Sequence, residues 1–542
     1  MEFIKIAIKT LVFSLSFVWL FSCSEEKENQ ETTVIAQKSQ VFSLLTAAET
    51  GVYFKNTSVE SVGRNLAEYD YFYNGSGVAI GDLNNDGLAD LFFAGNDAVN
   101  KMYVNKGNFN FEDISKTAGF EGNKWATGVT MVDINEDGFL DIYVCYSGPS
   151  KDDKSLANEL YINNGDLTFT ESALKFGIAD AAYSTQATFF DMDKDGDLDL
   201  FVMNHSWINY GNGVNDWLSV MDADTEKLQK STSTLYRNEG NGTFKDITKE
   251  AGLYRPGFGL GLAISDFDEN GYLDIYVAND YFIPDFLFFN LGDGKFVENI
   301  KARASHTSYY SMGCDAADFN NDGLVDLVVV DMTPSDHFRG KTQMESMDVG
   351  KFKALTQRNG YIPQYMFNTL SLNRSKGNFS EIALMAGVSQ TEWSWAPLFV
   401  DLDNNSLKDL VITNGFKRDT KDRDWASELK NRMATEGASA EVSFDQIKKA
   451  TSTPVVNYIY ENNGNLTFKE ASKAWGFNEP SFSQGAAYGD LDNDGDMDMV
   501  INNLEKEAFV YRNNIADKKQ SNYVQFLLND TGKPASVMHS KI

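Results

Sequence analysis

Short apolar runs recur along the whole chain, and each of them follows a loop rich in Asp, Asn and Gly. The first example is GDLNNDGLADLFF, residues 81–93, which VDINEDGFLDIYV and FDMDKDGDLDLFV repeat from Val132 and Phe190. Runs such as LFF, IYV and LFV consist of strand-forming residues. A second recurring stretch, MYVNKGNFNFEDISKTAGF from Met102, has the pattern of strand, Asn-Gly turn and strand. With the apolar residues before the loop, one unit therefore predicts four short antiparallel strands.

The acidic loop occurs seven times, in units of roughly fifty residues or more, a period typical of β-propellers. We therefore expect an all-β fold, a seven-bladed β-propeller over residues 41–514. The last unit stops at residues 509–514 without a fourth strand, whereas residues 42–54 match the fourth-strand pattern with nothing before them. The N-terminal strand is expected to close the seventh blade, because closure removes the exposed edges of an open array.

The acidic loops share the template D-x-[DN]-x-[DN]-G-x-x-D. Oxygen ligands at positions 1, 3, 5 and 9, with a backbone carbonyl at position 7, suit a hard cation such as Ca²⁺, and glycine at position 6 permits the sharp turn. The expected calcium ligands are, loop by loop, Asp82, Asn84, Asp86 and Asp90; Asp133, Asn135, Asp137 and Asp141; Asp191, Asp193, Asp195 and Asp199; Asp266, Asp268, Asn270 and Asp274; Asp318, Asn320, Asp322 and Asp326; Asp401, Asp403, Asn405 and Asp409; Asp490, Asp492, Asp494 and Asp498.

The sixth loop departs from the template, with Ser406 at the glycine position and Lys408 beside Asp409, so we expect it to be the weakest site or an empty one. An EF-hand is excluded, because it needs flanking helices and a glutamate at position 12, where these loops carry apolar residues. A dockerin module is also excluded, because it has two such loops followed by helices, whereas strand-forming residues follow the loops here. The remaining alternative is that the loops are ordinary hairpin turns, but seven copies with the fourth carboxylate in register argue against it.

The charge of the chain limits its partners. Its 47 basic and 78 acidic residues give a net charge of −31, which repels nucleic acid and anionic membranes and favours cations. We therefore expect no nucleic-acid partner. A hydrophobic content of 42% in 542 residues indicates a folded protein. Cys145 and Cys314 lie in strand-like contexts and are expected to be buried free thiols.

The N-terminal segment predicts export. Two lysines precede an apolar run, residues 11–21, that is too short to span a bilayer, which predicts a signal peptide over residues 1–22. The residues around Cys23 resemble a lipobox, so we expect Cys23 to be lipidated and to anchor the protein to the outer membrane, exposed on the cell surface. Residues 23–40 are polar and predict a flexible tether. The alternative is an ordinary signal peptide with an unrelated cysteine.

Three long insertions, residues 204–233, 331–364 and 414–456, follow second strands and should emerge from the face opposite the acidic loops, because consecutive strands are antiparallel. Long loops gathered on one face of a rigid scaffold often carry function. A glycan could be bound by stacking on aromatic side chains and by hydrogen bonds to charged ones. The alternative is that the insertions only pack on each other as a cap. The candidate ligand-binding residues are His205, Trp207, Tyr210, Trp217, His337, Arg339, Arg418, Arg423 and Trp425.

Stretches such as GDLNNDGLADLFF, SMGCDAADFNNDGLVDLVVVDM and GAAYGDLDNDGDMDMVINN resemble the FG-GAP/VCBS repeat family, in its Bacteroidetes lipoprotein type with a C-terminal ASPIC/UnbV domain, related to cartilage acidic proteins. The resemblance covers roughly residues 42–514. It implies a propeller with calcium in its loops and a role in extracellular binding or adhesion. Residues 515–542 resemble only the opening of an ASPIC/UnbV domain, so we expect that domain to be truncated.

Our leading hypothesis is a calcium-stabilised cell-surface lipoprotein that binds a glycan or protein ligand through the insertion face. A polysaccharide-active hydrolase or lyase on the same face is the first alternative. The sequence holds no HExxH, GxSxG or P-loop motif and no Cys/His cluster, so no catalytic residue is assigned and we do not expect an enzyme. A second alternative is an adhesion or structural subunit of an outer-membrane uptake complex.

Overall fold

The structure is a computed structural model that describes residues 40–206, 225–344 and 348–518. The chain divides into two compact units, Met1–Gln40 and Val41–Ile542. Nearly all of the first unit lies outside the described residues, and so do the predicted signal peptide, Cys23 and residues 519–542.

The described residues of the second unit form seven four-stranded antiparallel sheets, named here sheet 1 to sheet 7 in the order of their acidic loops. Their strands, from first to fourth, are Val78–Gly81, Asp90–Phe93, Lys101–Asn105 and Phe111–Asp113; Ala126–Val132, Asp141–Tyr146, Glu159–Asn163 and Phe169–Glu171; Ser184–Phe190, Asp199–Asn204, Thr234–Asn238 and Phe244–Asp246; Gly259–Ser265, Asp274–Asn279, Phe286–Asn290 and Phe296–Glu298; Cys314–Ala317, Asp326–Val329, Thr369–Asn373 and Phe379–Glu381; Ser394–Val400, Asp409–Asn414, Tyr458–Asn462 and Phe468–Glu470; Ser483–Gly489, Asp498–Asn503, Phe509–Asn513 and Phe42–Leu45. The predicted unit of four short antiparallel strands is thereby confirmed.

Most of the remaining elements are short, apart from two helices of 14 and 10 residues in the third insertion. Two residue pairs, Thr307–Ser308 and Gln364–Tyr365, form a small parallel sheet. The helices are Ala47–Thr50, Ser115–Ala118, Asp153–Leu156, Ala173–Phe176, Thr225–Lys230, Ile300–Arg303, His337–Thr342, Val349–Lys353, Ala383–Ala386, Arg423–Glu436, Ala440–Lys449 and Ser472–Trp475, with a π-helical turn at Ala354–Arg358 and a 3₁₀ turn at Ala516–Lys518. Among the described residues, none of these helices has the length and apolar character needed to cross a bilayer.

The N-terminal strand completes sheet 7, as predicted. Phe42–Leu45 pairs antiparallel with Phe509–Asn513, and Phe42 lies opposite Asn513. The strand is followed by the one-turn helix Ala47–Thr50, which ends at Gly51 with a φ of 80°. The fourth strand of sheet 1 ends in the same way, in a four-residue helix and a left-handed glycine. The N-terminal segment therefore supplies the fourth strand that the C-terminal unit lacks.

The second strands are the most buried part of each sheet. All residues of Asp141–Tyr146, Asp274–Asn279 and Asp498–Asn503 are buried, which explains why the middle of each segment is continuously apolar rather than alternating. The first strands of successive sheets contact one another in order, and that of sheet 7 contacts that of sheet 1. The sheets thus follow one another around a ring. Cys145 is buried, Cys314 is half-buried, and both are free thiols.

Candidate metal loops and insertion-face pocket

The carboxylates of each acidic loop also hold its backbone in place. In the first loop, Asp82 accepts a hydrogen bond from the N–H of Gly87 at 2.8 Å. Asp90 accepts one from the N–H of Leu83 at 2.9 Å and another, from the third strand, from the N–H of Asn105 at 2.8 Å. Position 9 therefore ties the loop to its sheet, so that removing this carboxylate would loosen the loop as well as any bound ion.

Four of the loops bring three carboxylates together. The residues at positions 1, 3 and 9 offer oxygen atoms that lie within 4.8 Å of one another in Asp191, Asp193 and Asp199; Asp266, Asp268 and Asp274; Asp401, Asp403 and Asp409; Asp490, Asp492 and Asp498. Buried carboxylate oxygens of Asp266, Asp403 and Asp492 have no hydrogen-bond partner among the described residues. Such oxygens normally find a donor or a cation. The donor set is hard oxygen throughout, and these clusters could hold a metal ion.

The pKa values of the aspartates at position 9 of the four clusters also fit a bound cation. The pKa is raised to about 8 for Asp199, Asp274 and Asp409 and to about 9 for Asp498. Burial is the largest cause, neighbouring loop carboxylates add to it, and hydrogen bonds from backbone N–H groups oppose it. A cation among these groups would favour their ionised forms and offset the repulsion between them.

The first, second and fifth loops differ from these four loops because they carry asparagine rather than aspartate at position 3. In the first loop, the Nδ2 of Asn84 donates to Asp86 at 3.0 Å, and the same contact occurs in the second and fifth loops.

The third and seventh loops have an additional carboxylate that the sequence template missed, at position 7. Asp197 and Asp496 each have a buried oxygen without a partner among the described residues. The template assigned only a backbone carbonyl to that position.

The sixth loop does not differ from the others in the way that the sequence suggests. The Nζ of Lys408 donates to the carbonyl of Asp318, in the fifth loop, at 3.3 Å. Ser406 keeps the left-handed turn, with a φ of 72°, and its N–H donates to Asp401 at 2.8 Å, as the glycine does elsewhere. The ammonium group of Lys408 thus contacts the neighbouring loop, and the expectation that the sixth loop is the weakest or an empty site stays a prediction.

Asparagines link neighbouring loops, a role that sequence reasoning missed. Every third strand ends in Asn, and in sheet 4 the Nδ2 of Asn290 donates to Leu273 in its own loop at 3.2 Å and to Met192 in the loop of sheet 3 at 2.7 Å. Bonds of this kind to the preceding loop are made by Asn105, Asn163, Asn290, Asn373, Asn462 and Asn513. The signal was present, since Asn recurs at this place in all seven units, but we assigned it to the following turn.

A second set of asparagines, at position 4 of the loops, bonds to the following loop. Asn493 donates to the carbonyl of Gly87 at 2.9 Å, which joins the seventh loop to the first. Asn85, Asn321 and Asn404 make the corresponding contacts to the second, sixth and seventh loops. The acidic loops are therefore one hydrogen-bonded assembly rather than separate turns.

The insertions begin at the ends of the second strands that are opposite the acidic loops, as expected from strand direction. In sheet 6, Asp409–Asn414 begins at the acidic loop, and the insertion follows its last residue. Trp207, Tyr210 and Trp217 fall in residues 207–224, outside the described residues. His337 is exposed at the start of His337–Thr342.

His205 does not lie on the surface. It is fully buried, with its Nε2 3.0 Å from the hydroxyls of both Tyr69 and Ser147, and its Nδ1 2.8 Å from the carbonyl of Ser206. Burial lowers its pKa to about 4, so it is neutral at pH 7. The prediction that His205 contacts a surface ligand is therefore wrong, because its ring nitrogens are used inside the protein.

The arginines that were predicted to contact a ligand bond to other groups of the protein. Arg339 forms an ion pair with Glu392 at 2.6 Å and reaches Asp419 of the third insertion at 3.5 Å. Arg418 pairs with Glu60 at 2.8 Å. Arg423, which is exposed, donates to the carbonyl of Met344 at 3.2 Å. Arg339 and Arg418 thus hold the insertion face together through carboxylate partners, and their contact with a ligand stays a prediction.

Residues 65–75, with the aromatic sequence YDYFYN, were overlooked in the sequence. Tyr69 contacts both Ser147 and His205, while the ring of Tyr73 lies 5.4 Å from that of Phe416 in an edge-on arrangement. Together with the first strands of all seven sheets, Tyr69 and Tyr71 line a central cavity of about 260 Å³. This segment therefore lies at the centre of the ring, on the side of the insertions.

A second cavity, of about 280 Å³, lies between residues 65–75 and the helices of the third insertion; we call it the insertion-face pocket. Its aromatic lining consists of Tyr71, Tyr281, Trp393, Trp395, Phe416 and Trp425. Its charged lining consists of Asp70, Asp280 and Lys421. The Nε1 of Trp425 donates to the carbonyl of Gln446 at 2.8 Å, which holds this ring in the wall. Among the predicted ligand-binding residues that the structure describes, Trp425 is the one in this pocket.

The model of the FG-GAP-like repeat family matches residues 73–144, 146–202, 210–277, 266–329 and 450–501, more than half of the chain. The chain belongs to the FG-GAP-like repeat family. These FG-GAP-like repeats include six of the seven acidic loops, whereas the sixth, residues 401–409, falls outside the matched ranges. The family assignment and the repeated four-stranded sheets thus agree on the unit of the fold.

Relatives of this FG-GAP-like protein include cartilage acidic protein 1. The human protein is 27% identical over 270 residues, which are 46% of this chain and 38% of the relative. The mouse protein is 26% identical over 280 residues, 46% of this chain and 39% of the relative. The frog Xenopus tropicalis protein is 27% identical over 214 residues, 38% and 29% respectively. The match thus spans less than two fifths of each of these relatives.

Two solved structures are similar at low scores. One is an Agrocybe aegerita lectin that recognises non-reducing terminal N-acetylglucosamine, with a TM-score of 0.38 and 15% identity over 73% of this chain and 79% of the lectin. The other is YCF48 bound to a D1 peptide, with a TM-score of 0.40 and 7% identity over 81% of this chain and 92% of the other. Neither likeness bears on the ligand of the FG-GAP-like chain.

Proposed function

We propose that this protein is a seven-bladed, calcium-binding β-propeller that binds a glycan or protein ligand through the insertion-face pocket. The pocket is the observation that carries the proposal. A concave site with mostly apolar walls and a few polar groups is the usual form of a ligand site in proteins, and here six aromatic side chains accompany Asp70, Asp280 and Lys421. The ring of seven sheets supports the blade count.

Calcium is the cation we propose for the acidic loops. The side chains at positions 1, 3, 5 and 9 would hold it, joined in the third and seventh loops by Asp197 and Asp496. Calcium would supply positive charge among carboxylates that are otherwise held together by the fold. Its preference for six to eight oxygen ligands in a flexible arrangement suits these loops better than the strict octahedron of magnesium.

Replacement of Trp425 by Ala should lower the affinity for the ligand about fivefold or more. A stacked aromatic residue that acts as a hot spot contributes about 1 to 3 kcal/mol, and this ring lines the pocket. The measurement is binding to a glycan array and to candidate surface proteins, with product release recorded in parallel. Calcium affinity and melting temperature should change little.

Asp193→Ala is the matched control, because it alters a metal loop at the other end of the strands. It should weaken the third calcium site and leave ligand binding unchanged. If Trp425→Ala instead mainly unfolds the protein, the insertions are only a packed cap, and the ligand must bind elsewhere.

A polysaccharide-active enzyme is the second candidate, and one observation favours it. Asp280 lines the pocket, and its burial raises its pKa to about 8, so that it holds a proton at neutral pH, as a general acid must. Product release in the array experiment would favour this alternative. Neither binding nor release would favour an adhesion or structural subunit of an outer-membrane uptake complex.

We also propose that Cys23 is lipidated and anchors the protein to the outer membrane, facing the outside of the cell. The apolar run before Cys23 and the polar residues after it support this. Cys23→Ala should move the protein from the membrane fraction to the soluble fraction, because a triacylated cysteine holds firmly in a bilayer. Protease added to whole cells should digest the wild type. Full protection would place the protein in the periplasm.

A further inference from the structure

We infer that the insertion-face pocket accommodates a neutral sugar residue, bound through its hydroxyl groups and one face of its ring. This inference rests on the proposed ligand-binding function and makes it more specific. Its basis is that two residues in the pocket lining carry polar atoms without partners among the described residues, since those atoms limit the chemistry that a ligand can bring.

Two hydrogen-bond donors in the pocket lining have no partner among the described residues. They are the hydroxyl of Tyr71, a residue 7% exposed, and the indole Nε1 of Trp393, an atom that is itself buried. The indole N–H can only donate. Buried polar atoms without partners are rare, and leaving one unpaired costs free energy. A ligand that supplies an acceptor to Trp393 and either a donor or an acceptor to Tyr71 would satisfy both.

Carboxylates provide acceptors in the same pocket. Asp280 is 4% exposed and accepts the N–H of Tyr281 at 2.7 Å, which fixes its position in the wall. Asp70 is the second carboxylate, and Lys421 is the cation in the lining. A sugar hydroxyl can donate to a carboxylate while it accepts from an indole or a phenol. Hydroxyl groups therefore match both kinds of wall atom.

Charged ligands match the pocket less well. An anionic sugar would meet two aspartates against one lysine, in a chain of net charge −31, and it would further oppose ionisation of the already protonated Asp280. The arginines Arg339 and Arg418, which could have bound a sulfate or carboxylate, are paired with acidic side chains. An ammonium group would suit the carboxylates and the aromatic rings, but it has no acceptor to offer the N–H of Trp393. A neutral polyhydroxyl ring is the remaining class.

The aromatic walls supply the apolar contact that such a ring needs. One side of Trp393 is covered by Phe416, with ring centroids 3.7 Å apart and planes 2° from parallel. Trp395 lies 6.4 Å from Trp393, and its Nε1 donates to the carbonyl of Gly415 at 2.7 Å. Trp425 is held by Gln446. These rings are fixed before a ligand arrives, so little side-chain entropy would be lost on stacking.

The test is a titration of the full protein, saturated with calcium, with the methyl glycosides of glucose, galactose, mannose, fucose and xylose. Binding is detected by ligand-observed NMR. Glucuronic acid and tetramethylammonium serve as the anionic and cationic probes. We expect at least one neutral glycoside to bind and both charged probes to fail. Tyr71→Phe and Trp393→Phe should each weaken that binding about three- to tenfold, the effect of one lost hydrogen bond.

Tyr53→Phe is the control, since it removes the hydroxyl of a tyrosine that is 62% exposed and absent from the pocket lining. The melting temperature of Tyr71→Phe without ligand should equal or exceed that of the wild type, because the lost hydroxyl has no partner among the described residues and leaving it unpaired costs free energy. Binding of tetramethylammonium or glucuronic acid in place of the neutral glycosides would overturn the inference, and so would unchanged glycoside binding in both variants. If no glycoside binds but Trp425→Ala still abolishes binding of an array ligand, this inference fails while the proposed function stands.

Discussion

Chelation of calcium with EDTA should lower the melting temperature of this protein by about 3 to 10 °C, the largest change in stability that we expect. If each site has a dissociation constant between the ambient calcium concentration and a tenth of it, calcium stabilises the fold by about 0.4 to 1.4 kcal/mol per site. Over seven loops this amounts to roughly 3 to 10 kcal/mol, comparable with the whole stability of a domain. At the usual unfolding entropy per residue, about 1 kcal/mol corresponds to about 1 °C in a fold of this length.

The measurement is calorimetry with and without EDTA, followed by re-addition of calcium or magnesium. Calcium should restore the melting temperature at lower concentration than magnesium does. Mass spectrometry of the native protein should find bound calcium, with the four three-carboxylate clusters as the first candidates for occupancy. A melting curve that EDTA does not change, together with an absence of bound metal, would refute the calcium proposal.

Asn290→Ala should lower the free energy of unfolding by about 3 kcal/mol, because three hydrogen bonds of a fully buried side chain are lost and the carbonyls of Leu273 and Met192 remain buried. One of these bonds connects sheet 4 to the loop of sheet 3. The variant should therefore also bind calcium more weakly in the third loop. Urea denaturation at saturating calcium measures the first effect, and calcium titration measures the second.

Asn238→Ala is the matched control. This asparagine ends the third strand of sheet 3, and its Nδ2 donates to Leu198 in its own loop at 3.2 Å, without a contact to the preceding loop among the described residues. Its Oδ1 also accepts a hydrogen bond from the N–H of Gly240 at 3.1 Å, so loss of the side chain should cost about 2 kcal/mol, one hydrogen bond less than Asn290→Ala. Equal effects of the two substitutions would mean that the bridges between loops do not stabilise the ring.

Local patterns in the sequence predicted the repeated unit because the physics of that unit is local. Apolar runs, Asn-Gly turns and the spacing of carboxylates all act within about fifty residues, and the sheets and the loop clusters formed where these patterns placed them. Even the pairing of Phe42–Leu45 with the last strand followed from counting strands per unit. The direction of the insertions followed from strand polarity in the same way.

Contacts between distant parts of the chain were decided by the tertiary structure alone. The pairing of Arg418 with Glu60 joins residues more than 350 positions apart, and Tyr69 encloses His205 from a segment that the repeat pattern did not contain. No periodicity specifies which cation finds which carboxylate or which polar atom is left without a partner. The repeat and its acidic loops were therefore determined by the sequence itself, whereas the pocket exists only because folding brings residues 65–75, Asp280 after the second strand of sheet 4 and Trp393 before sheet 6 against the third insertion.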